Sequence, residues 1–345
     1  MRWPWVLPLL VGSAVGSNLA VADMAPVPDR EVAPPTFWVE AIEPHSVAVT
    51  RLLALARESL DRPGDASSDD TLFAVDERQH YFVDAYHLAA YAHRLSPTNA
   101  DAIAVLGIAA DELGKIGEAR SLLELHVKLV GLEKADFDAL VHLGAIHLRL
   151  GALDEAIAVL RYTQGTPARG DREHTQTTAT LDLAQALLAR GDVTGAIDVY
   201  LAATPTGSQY LYGSNRAAVV LLGLAVLYDR LELRGAAFDQ LSSLRAMLTQ
   251  GGSGMFARYL CDELNRVEFV PAEDLEYFRA LAYEAMGKYV EARAEWLTYA
   301  AVPHAAWRSR ALDHVALLDA RARAVDEPPP VAPVSSAPAQ PAGVP

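Results

Sequence analysis

The sequence predicts an all-α chain built as a solenoid of helical hairpins, and three observations carry that expectation. Asn99 to Pro167 states one pattern twice: Leu106-Gly107 returns as Leu143-Gly144, Gly114 as Gly151, Ala119 as Ala156 and Leu123 as Leu160, all at one offset of 37 residues. Each copy holds two apolar stripes at helical spacing with a glycine between them, which reads as helix, turn and helix. Strand signals are nearly absent, with no sustained alternation of Val, Ile or Thr ending in a hairpin turn. At 345 residues and 51% hydrophobic content, the chain has ample apolar surface, and stacked hairpins bury it between neighbours without one central core.

From the N-terminus, residues 1–22 (MRWPWVLPLLVGSAVGSNLAVA) join one cation, Arg2, to an apolar run and a small-residue site at Ala20-Val21-Ala22. This predicts a secretory signal peptide cut after Ala22, with the protein exported to the periplasm or cell envelope. Pro4 and Pro8 leave the apolar core short of the roughly 20 residues a membrane span needs. Membrane contact is therefore expected only through an uncleaved signal anchor, if at all. Residues 23–44 are a proline-rich spacer.

A repeat domain is expected over residues 45–322. Val47, Leu52, Leu53, Leu55 and Leu60 fall at helical spacing before Pro63-Gly64, which predicts an N-terminal capping helix. Ala85, Ala89, Ala92 and Pro97 mark the second helix of a further unit. After the two clear copies, Leu183-Ala184, Gly191, Ala196, Tyr200 and Ala203 form a third. Leu224-Ala225, Tyr228, Ala237, Leu241 and Leu244 form a fourth, with Glu232 where the turn glycine belongs. Ala280, Tyr283, Gly287, Ala292 and Trp296 form a fifth. The small residues 107, 144, 184, 225 and 280 are separated by 37, 40, 41 and 55. The largest excess holds an extra helix expected over Met255–Val267. Trp307, Leu312, Val315 and Leu318 then predict a C-terminal capping helix, which a solenoid needs to cover its last apolar face. Residues 323–345 form a Pro/Ala-rich tail whose composition predicts disorder.

The units resemble the tetratricopeptide repeat (TPR) family, whose pattern is a Leu-Gly pair, an aromatic, a turn glycine, then Ala, an aromatic or Leu, and Ala. The resemblance implies an α-solenoid of about five to six units with a period near 34 residues. It further implies a non-enzymatic scaffold or adaptor that binds a protein or peptide on its concave face. Carried over by position, that groove is lined by Asp101, Ala104, Ile108 and Asp111, then Asp138, Val141, Ala145 and Leu148. Thr178, Leu181, Gln185 and Leu188 follow, then Leu222, Val226 and Asp229, then Tyr277, Leu281 and Glu284. These positions lack the Lys, Arg and Asn of the family's carboxylate clamp, so a chaperone's terminal carboxylate is not the expected ligand.

Composition narrows the chemistry further. With 29 basic and 44 acidic residues the net charge is −15, which phosphate backbones repel, and nucleic acid is not an expected partner. Basic or neutral partners are electrostatically easier. Cys261 is the only cysteine; it forms no disulfide within the chain and reads as a buried small hydrophobe. His142 and His147 are five apart, and His87 and His93 six apart, so neither pair offers two ligands from one helix face. Asp313-His314 faces two directions, and Asp111-Glu112 and Asp154-Glu155 read as helix-end carboxylates. No phosphate loop, GxSxG elbow, HExxH or paired CxxC is present, so no catalytic residue, metal or cofactor is expected. A second reading places a small-ligand or catalytic pocket at the irregular segments 204–216 and 251–271, which depart most from the repeat. Self-association is a further possibility that the sequence leaves open.

Overall fold

The computed structural model describes residues 44–62, 79–165, 173–204, 215–250 and 255–326. These contain fourteen α-helices and no strand. The signal peptide, nearly all of the spacer, the tail beyond Asp326, and residues 205–214 and 251–254 lie outside them. The chain divides into two units, Met1–Val47 and Ala48–Pro345. Of the first, only the four residues that open helix α1 are described.

Five hairpins follow one another as α3 (Ala100–Glu112) with α4 (Ile116–Val130), α5 (Phe137–Arg149) with α6 (Leu153–Gly165), α7 (Glu173–Ala189) with α8 (Val193–Ala203), α9 (Asn215–Arg230) with α10 (Arg234–Gln250), and α12 (Asp274–Met286) with α13 (Tyr289–Ala301). Helices α1 (Pro44–Asp61) and α2 (Gln79–Leu95) precede them, α11 (Met255–Leu264) is inserted before the fifth, and α14 (Arg308–Asp326) ends the series. The fold is an all-helical α-solenoid of TPR-like hairpins. The inserted helix begins at the expected Met255 and stops three residues before the expected Val267.

Local chemistry fixes where the hairpins bend. Each first helix ends on a left-handed residue: Gly114, Gly151, Gly191 and Gly287 have φ of 70°, 72°, 85° and 77°. That conformation strains any residue with a Cβ, yet Glu232 holds the equivalent place at φ 58°. The turn's hydrogen bonds explain why: Leu233 N donates to Tyr228 O at 2.9 Å and Glu232 N to Asp229 O at 3.0 Å, the same pairing that Lys115 and Gly114 make with Ala110 and Asp111. This closure satisfies the carbonyls left over at the helix end. Side-chain caps open α3 and α8, with Asn99 accepting from Ala102 N and Asp192 from Gly195 N, each at 2.9 Å, whereas α4, α12 and α13 start without one.

Small residues set how closely paired helices approach. A Cβ added to Gly144 would sit 2.5 Å from Leu160 Cγ, and one added to Gly107 2.7 Å from Leu123 Cδ2. Ala119, Ala156, Ala196 and Ala292 are fully buried on the second helices, and Ala237 is 3% exposed. One apolar core runs continuously from Phe137 to Leu318.

Candidate functional site

The first helices of the hairpins share one face, and the chain itself occupies much of it. At the N-terminal end, Val49, Leu53 and Ala56 of α1 share a core with Ala89 and Ala92 of α2 and Ala102, Val105 and Leu106 of α3. Leu60 continues onto the core formed by Ala104, Ile108, Ala139 and Leu143, and Arg57 lies 3.9 Å from the α5 cap, Asp136. In the middle, α11 buries Leu260, Cys261, Glu263 and Leu264 completely. Val267 and Phe269 follow into the same core, and Phe269 meets Phe278 edge-on at 5.0 Å. The thiol of Cys261 is pushed up in pKa by this burial, as befits a packing residue rather than a nucleophile.

Between these coverings lies a polar cluster centred on α5. His142 Nδ1 is 2.8 Å from Asp111 Oδ2, and Arg149 donates to the other Asp111 oxygen. Arg149 Nε also lies 3.1 Å from Glu268, on the segment after α11. Burial disfavours the His142 cation, but the hydrogen bond it donates to Asp111 and the nearby Glu112 and Asp138 outweigh it and raise its pKa to about 9. Burial likewise works against the Asp111 carboxylate, and His142 and Arg149 still hold it below its usual range.

On the next first helix, α7, Asp182 Oδ1 accepts from the Glu268 backbone N–H at 3.0 Å. Burial pushes Asp182 up to about 8 despite that bond, so it is a neutral acid at pH 7. Its second oxygen and both amide atoms of Gln185 have no hydrogen-bond partner among the described residues. Thr178 donates to Glu263 at 3.3 Å, and Glu263 pairs with Arg266 at 3.3 Å.

A second cluster lies where α14 meets α9 and α12. Arg310 and the Tyr277 hydroxyl donate to opposite oxygens of Asp229. His314 bridges two carboxylates, with Nε2 3.1 Å from Asp229 Oδ2 and Nδ1 2.8 Å from Glu284 Oε1. The same Glu284 oxygen accepts from Trp296 Nε1 at 2.6 Å, and the Trp296 and His314 rings stack at 4.3 Å. Burial opposes the His314 charge, but the two carboxylates raise its pKa to about 9, so it is a cation at neutral pH. Beside it, Arg230 pairs with Asp274 at 2.8 Å and lies over the Tyr277 ring.

The residues expected from position to line the groove are thus distributed by depth. Ala104, Ile108, Asp111, Val141, Leu148, Leu181, Gln185, Leu222, Val226, Asp229, Tyr277 and Leu281 are buried, while Asp138, Ala145, Thr178, Leu188 and Glu284 are half-buried and Asp101 is exposed. Asp111, Asp229, Tyr277 and Glu284 are drawn into the two clusters; the apolar members pack. Sequence reasoning missed His142, Arg149, Asp182, Glu268, Arg310 and His314. A signal existed: His142 with Arg149, and Arg310 with His314, are seven and four residues apart, which places each pair on one helix face. Among the described residues no group of three or more His, Cys, Asp or Glu is arranged to hold a metal ion, and no helix is long and apolar enough to cross a membrane. Of the two irregular segments, the described part of 251–271 is α11 and a following stretch that buries Val267 and Phe269; 205–214 lies outside the described residues.

Comparison with known proteins agrees with the hairpin pattern. Residues 104–170 and 176–210 match the family described as Tetratricopeptide repeat. No curated protein sequence matches the chain. Among solved structures, the chain is similar to pilF of Pseudomonas aeruginosa, with 12% identity over 81% of this chain and 99% of that one and a TM-score of 0.46. It is also similar to the kinesin light chain TPR-like repeats of Podosopora anserina, with 17% identity, 61% and 97% coverage, and a TM-score of 0.44. A tetratricopeptide repeat protein from Parabacteroides merdae gives 13%, 79% and 99%, and 0.39. TM-scores below 0.5 give these likenesses no functional weight.

Proposed function

We propose that this protein is a non-enzymatic scaffold of the bacterial cell envelope that binds a protein or peptide on the face shared by its first helices. The observation that supports this most is the match of residues 104–170 and 176–210 to a repeat family whose fold is commonly a protein-interaction scaffold. The surface chemistry agrees. Around α5 the face gathers Asp61, Asp111, Glu112, Asp138 and Glu268 against Arg57, His142, Arg149 and Arg266, an acid excess that favours a basic or neutral partner. Asp138, His142, Ala145 and Arg149 are half-buried there, so they retain surface that a partner can reach. Export rests on residues 1–22, with Arg2, the apolar run and Ala20-Val21-Ala22.

The test is affinity capture with the chain lacking residues 1–22, comparing wild type with Ala145→Arg and Asp138→Lys. Both positions keep some exposure, so helical content and melting stay close to wild type while partner recovery falls. A partner set unchanged by both substitutions removes this face from consideration. Val141→Glu and Leu181→Glu are unsuitable, because Val141 is 4% and Leu181 0% exposed and a buried carboxylate there unfolds the array. Cell fractionation with and without residues 1–22 tests the compartment: equal cytoplasmic retention of both forms sinks the export reading.

A further inference from the structure

Three polar side chains of the third hairpin are sealed and lack partners. Asp182, Gln185 and Tyr200 are each 0% exposed. Asp182 Oδ2, both amide atoms of Gln185 and the Tyr200 hydroxyl make no hydrogen bond among the described residues. A buried polar atom left unpaired costs about 1–3 kcal/mol, so four of them in one hairpin weigh heavily against folding. Packing gives no reason for them. The place of Gln185 is held by Ala145 on α5 and Val226 on α9, and the place of Tyr200 by Leu160 on α6 and Leu241 on α10.

Asp182 and Gln185 are three residues apart on α7, so they share a face, and the Glu268 N–H holds Asp182 Oδ1 under the segment after α11. Tyr200 comes from α8. Its ring lies so close to α9 that a Cβ on Gly223 would sit 2.4 Å from Cζ, and its hydroxyl feels the Asp182 charge. Glu268 carries its carboxylate back to Arg149 at 3.1 Å, and these two side chains are 30% and 22% exposed. Ala145, one turn before Arg149 on the same face of α5, is half-buried. On the α5 side the cluster is thus bordered by side chains, and a group of a few atoms can pass them with every helix in place.

The missing partners define what would fit. Asp182 is a neutral acid at pH 7, and since Oδ1 accepts a backbone N–H, the proton sits on Oδ2. The unpaired set is then a donor at Asp182 Oδ2, a donor at Gln185 Nε2, an acceptor at Gln185 Oε1, and a Tyr200 hydroxyl that serves as either. Charge of either sign is unsuitable, because an anion meets Glu268 and a cation meets Arg149. A primary carboxamide is uncharged and carries two acceptor lone pairs on oxygen and two N–H donors on nitrogen, one for each unpaired atom.

We propose that the third hairpin holds a binding site for one primary carboxamide, which accepts from Asp182 and the Gln185 amide and donates to Gln185 Oε1 and Tyr200. The group belongs either to a free small amide or to an Asn or Gln side chain of a bound peptide. This goes beyond the protein-binding reading and does not depend on it.

Two probes separate the sources: propionamide, and a capped alanine peptide with one central glutamine and a methylamide end, so that the glutamine is its only primary amide. Each is titrated into the isotope-labelled full-length chain while the Gln185 side-chain amide signals are followed by NMR; their loss in Gln185→Leu identifies them. A saturable shift with at least one probe, absent with N,N-dimethylpropionamide, supports the site, and the tighter probe names the source. Gln185→Leu removes two unpaired atoms and should fold at least as stably as wild type, yet lose the thermal stabilisation that a saturating probe gives wild type. No saturable shift with either probe, the result if the site holds only water, overturns the proposal. Equal shifts with the dimethyl amide, or probe stabilisation that survives in Gln185→Leu, do the same. Should Gln185→Leu fail to fold, Tyr200→Phe decides: loss of one hydrogen bond should weaken probe binding about fivefold, and unchanged affinity overturns the proposal. Partner capture insensitive to both α5 substitutions removes the wider reading and not this one.

Discussion

Gly144→Ala measures how far the close approach of α5 and α6 defines the repeat. The added methyl would sit 2.5 Å from Leu160 Cγ and 2.6 Å from Cδ2, about 1 Å inside the normal separation of carbon atoms. Leu160 is 0% exposed, so its side chain has no free space to rotate into and the two helices must part. Overpacking of this kind costs about 1–3 kcal/mol. Leu160→Ala alone leaves a cavity and costs about 2–5 kcal/mol. In the double variant the new methyl grows into the space that Leu160 vacates, so the clash disappears and part of the cavity is filled. The combined loss should then fall short of the sum of the single losses by about 1–3 kcal/mol, a coupling typical of residues in contact. Urea unfolding at constant m-value reads each ΔΔG. Additive losses within about 0.5 kcal/mol would refute the close-approach argument.

Three further outcomes follow from the same structure. Glu232→Gly removes left-handed strain from the fourth turn and should stabilise by up to about 1 kcal/mol, whereas Gly151→Ala should cost about 1 kcal/mol; thermal melting of both variants checks the pair, and equal shifts would contradict it. His314 has its pKa raised from 6.5 to about 9, so its contribution is complete below pH 6.5 and is lost as pH rises through 9. Wild type should lose more stability across that window than His314→Gln, in which His142 and Asp182 still titrate there, as melts at pH 6 and 10 would show; equal losses would contradict the reading. Asp182 is raised from 3.8 to about 8 by burial, so the folded state binds the extra proton and stability falls as pH climbs from 3.8 through 8. Asp182→Asn should flatten that part of the profile, and a profile identical to wild type would count against a buried neutral acid.

The fold was legible in the sequence because its determinants are local. A glycine that must turn left-handed, an alanine that must sit under a neighbouring helix and a capping Asn or Asp are each felt within a few residues, and they recur with the repeat. Even Glu232 was recognisable as a displaced turn residue, since the pattern around it held. Position on the first helices was legible too, but depth was not. Gln185 and Ala145 occupy equivalent places in the pattern, yet one is sealed and the other half-open, because the difference is made by α11 and the residues after it, far away in sequence. The polar clusters were hidden for the same reason: Asp182 meets Glu268 and Asp229 meets His314, pairs separated by 86 and 85 residues. No periodicity within a repeat encodes such a pairing. Adjacent residues misled in both clusters, since Asp111-Glu112 looks like a pair of ordinary helix-end carboxylates and Asp313-His314 like a pair facing two directions, until a partner from another element is brought beside them.

Those long-range pairs change how the array should come apart. A solenoid whose repeats touch only their neighbours frays from its ends, one unit after another. Here Asp182 is bonded to the segment that follows α11, and Arg149 reaches the same segment from the hairpin before. Asp229 is bonded in turn to the final helix. These ties skip over intervening hairpins, so the units from α5 to α14 cannot melt independently. Their unfolding is expected to be all-or-none, with the polar bonds across the first-helix face acting as the rivets that turn a stack into a single body.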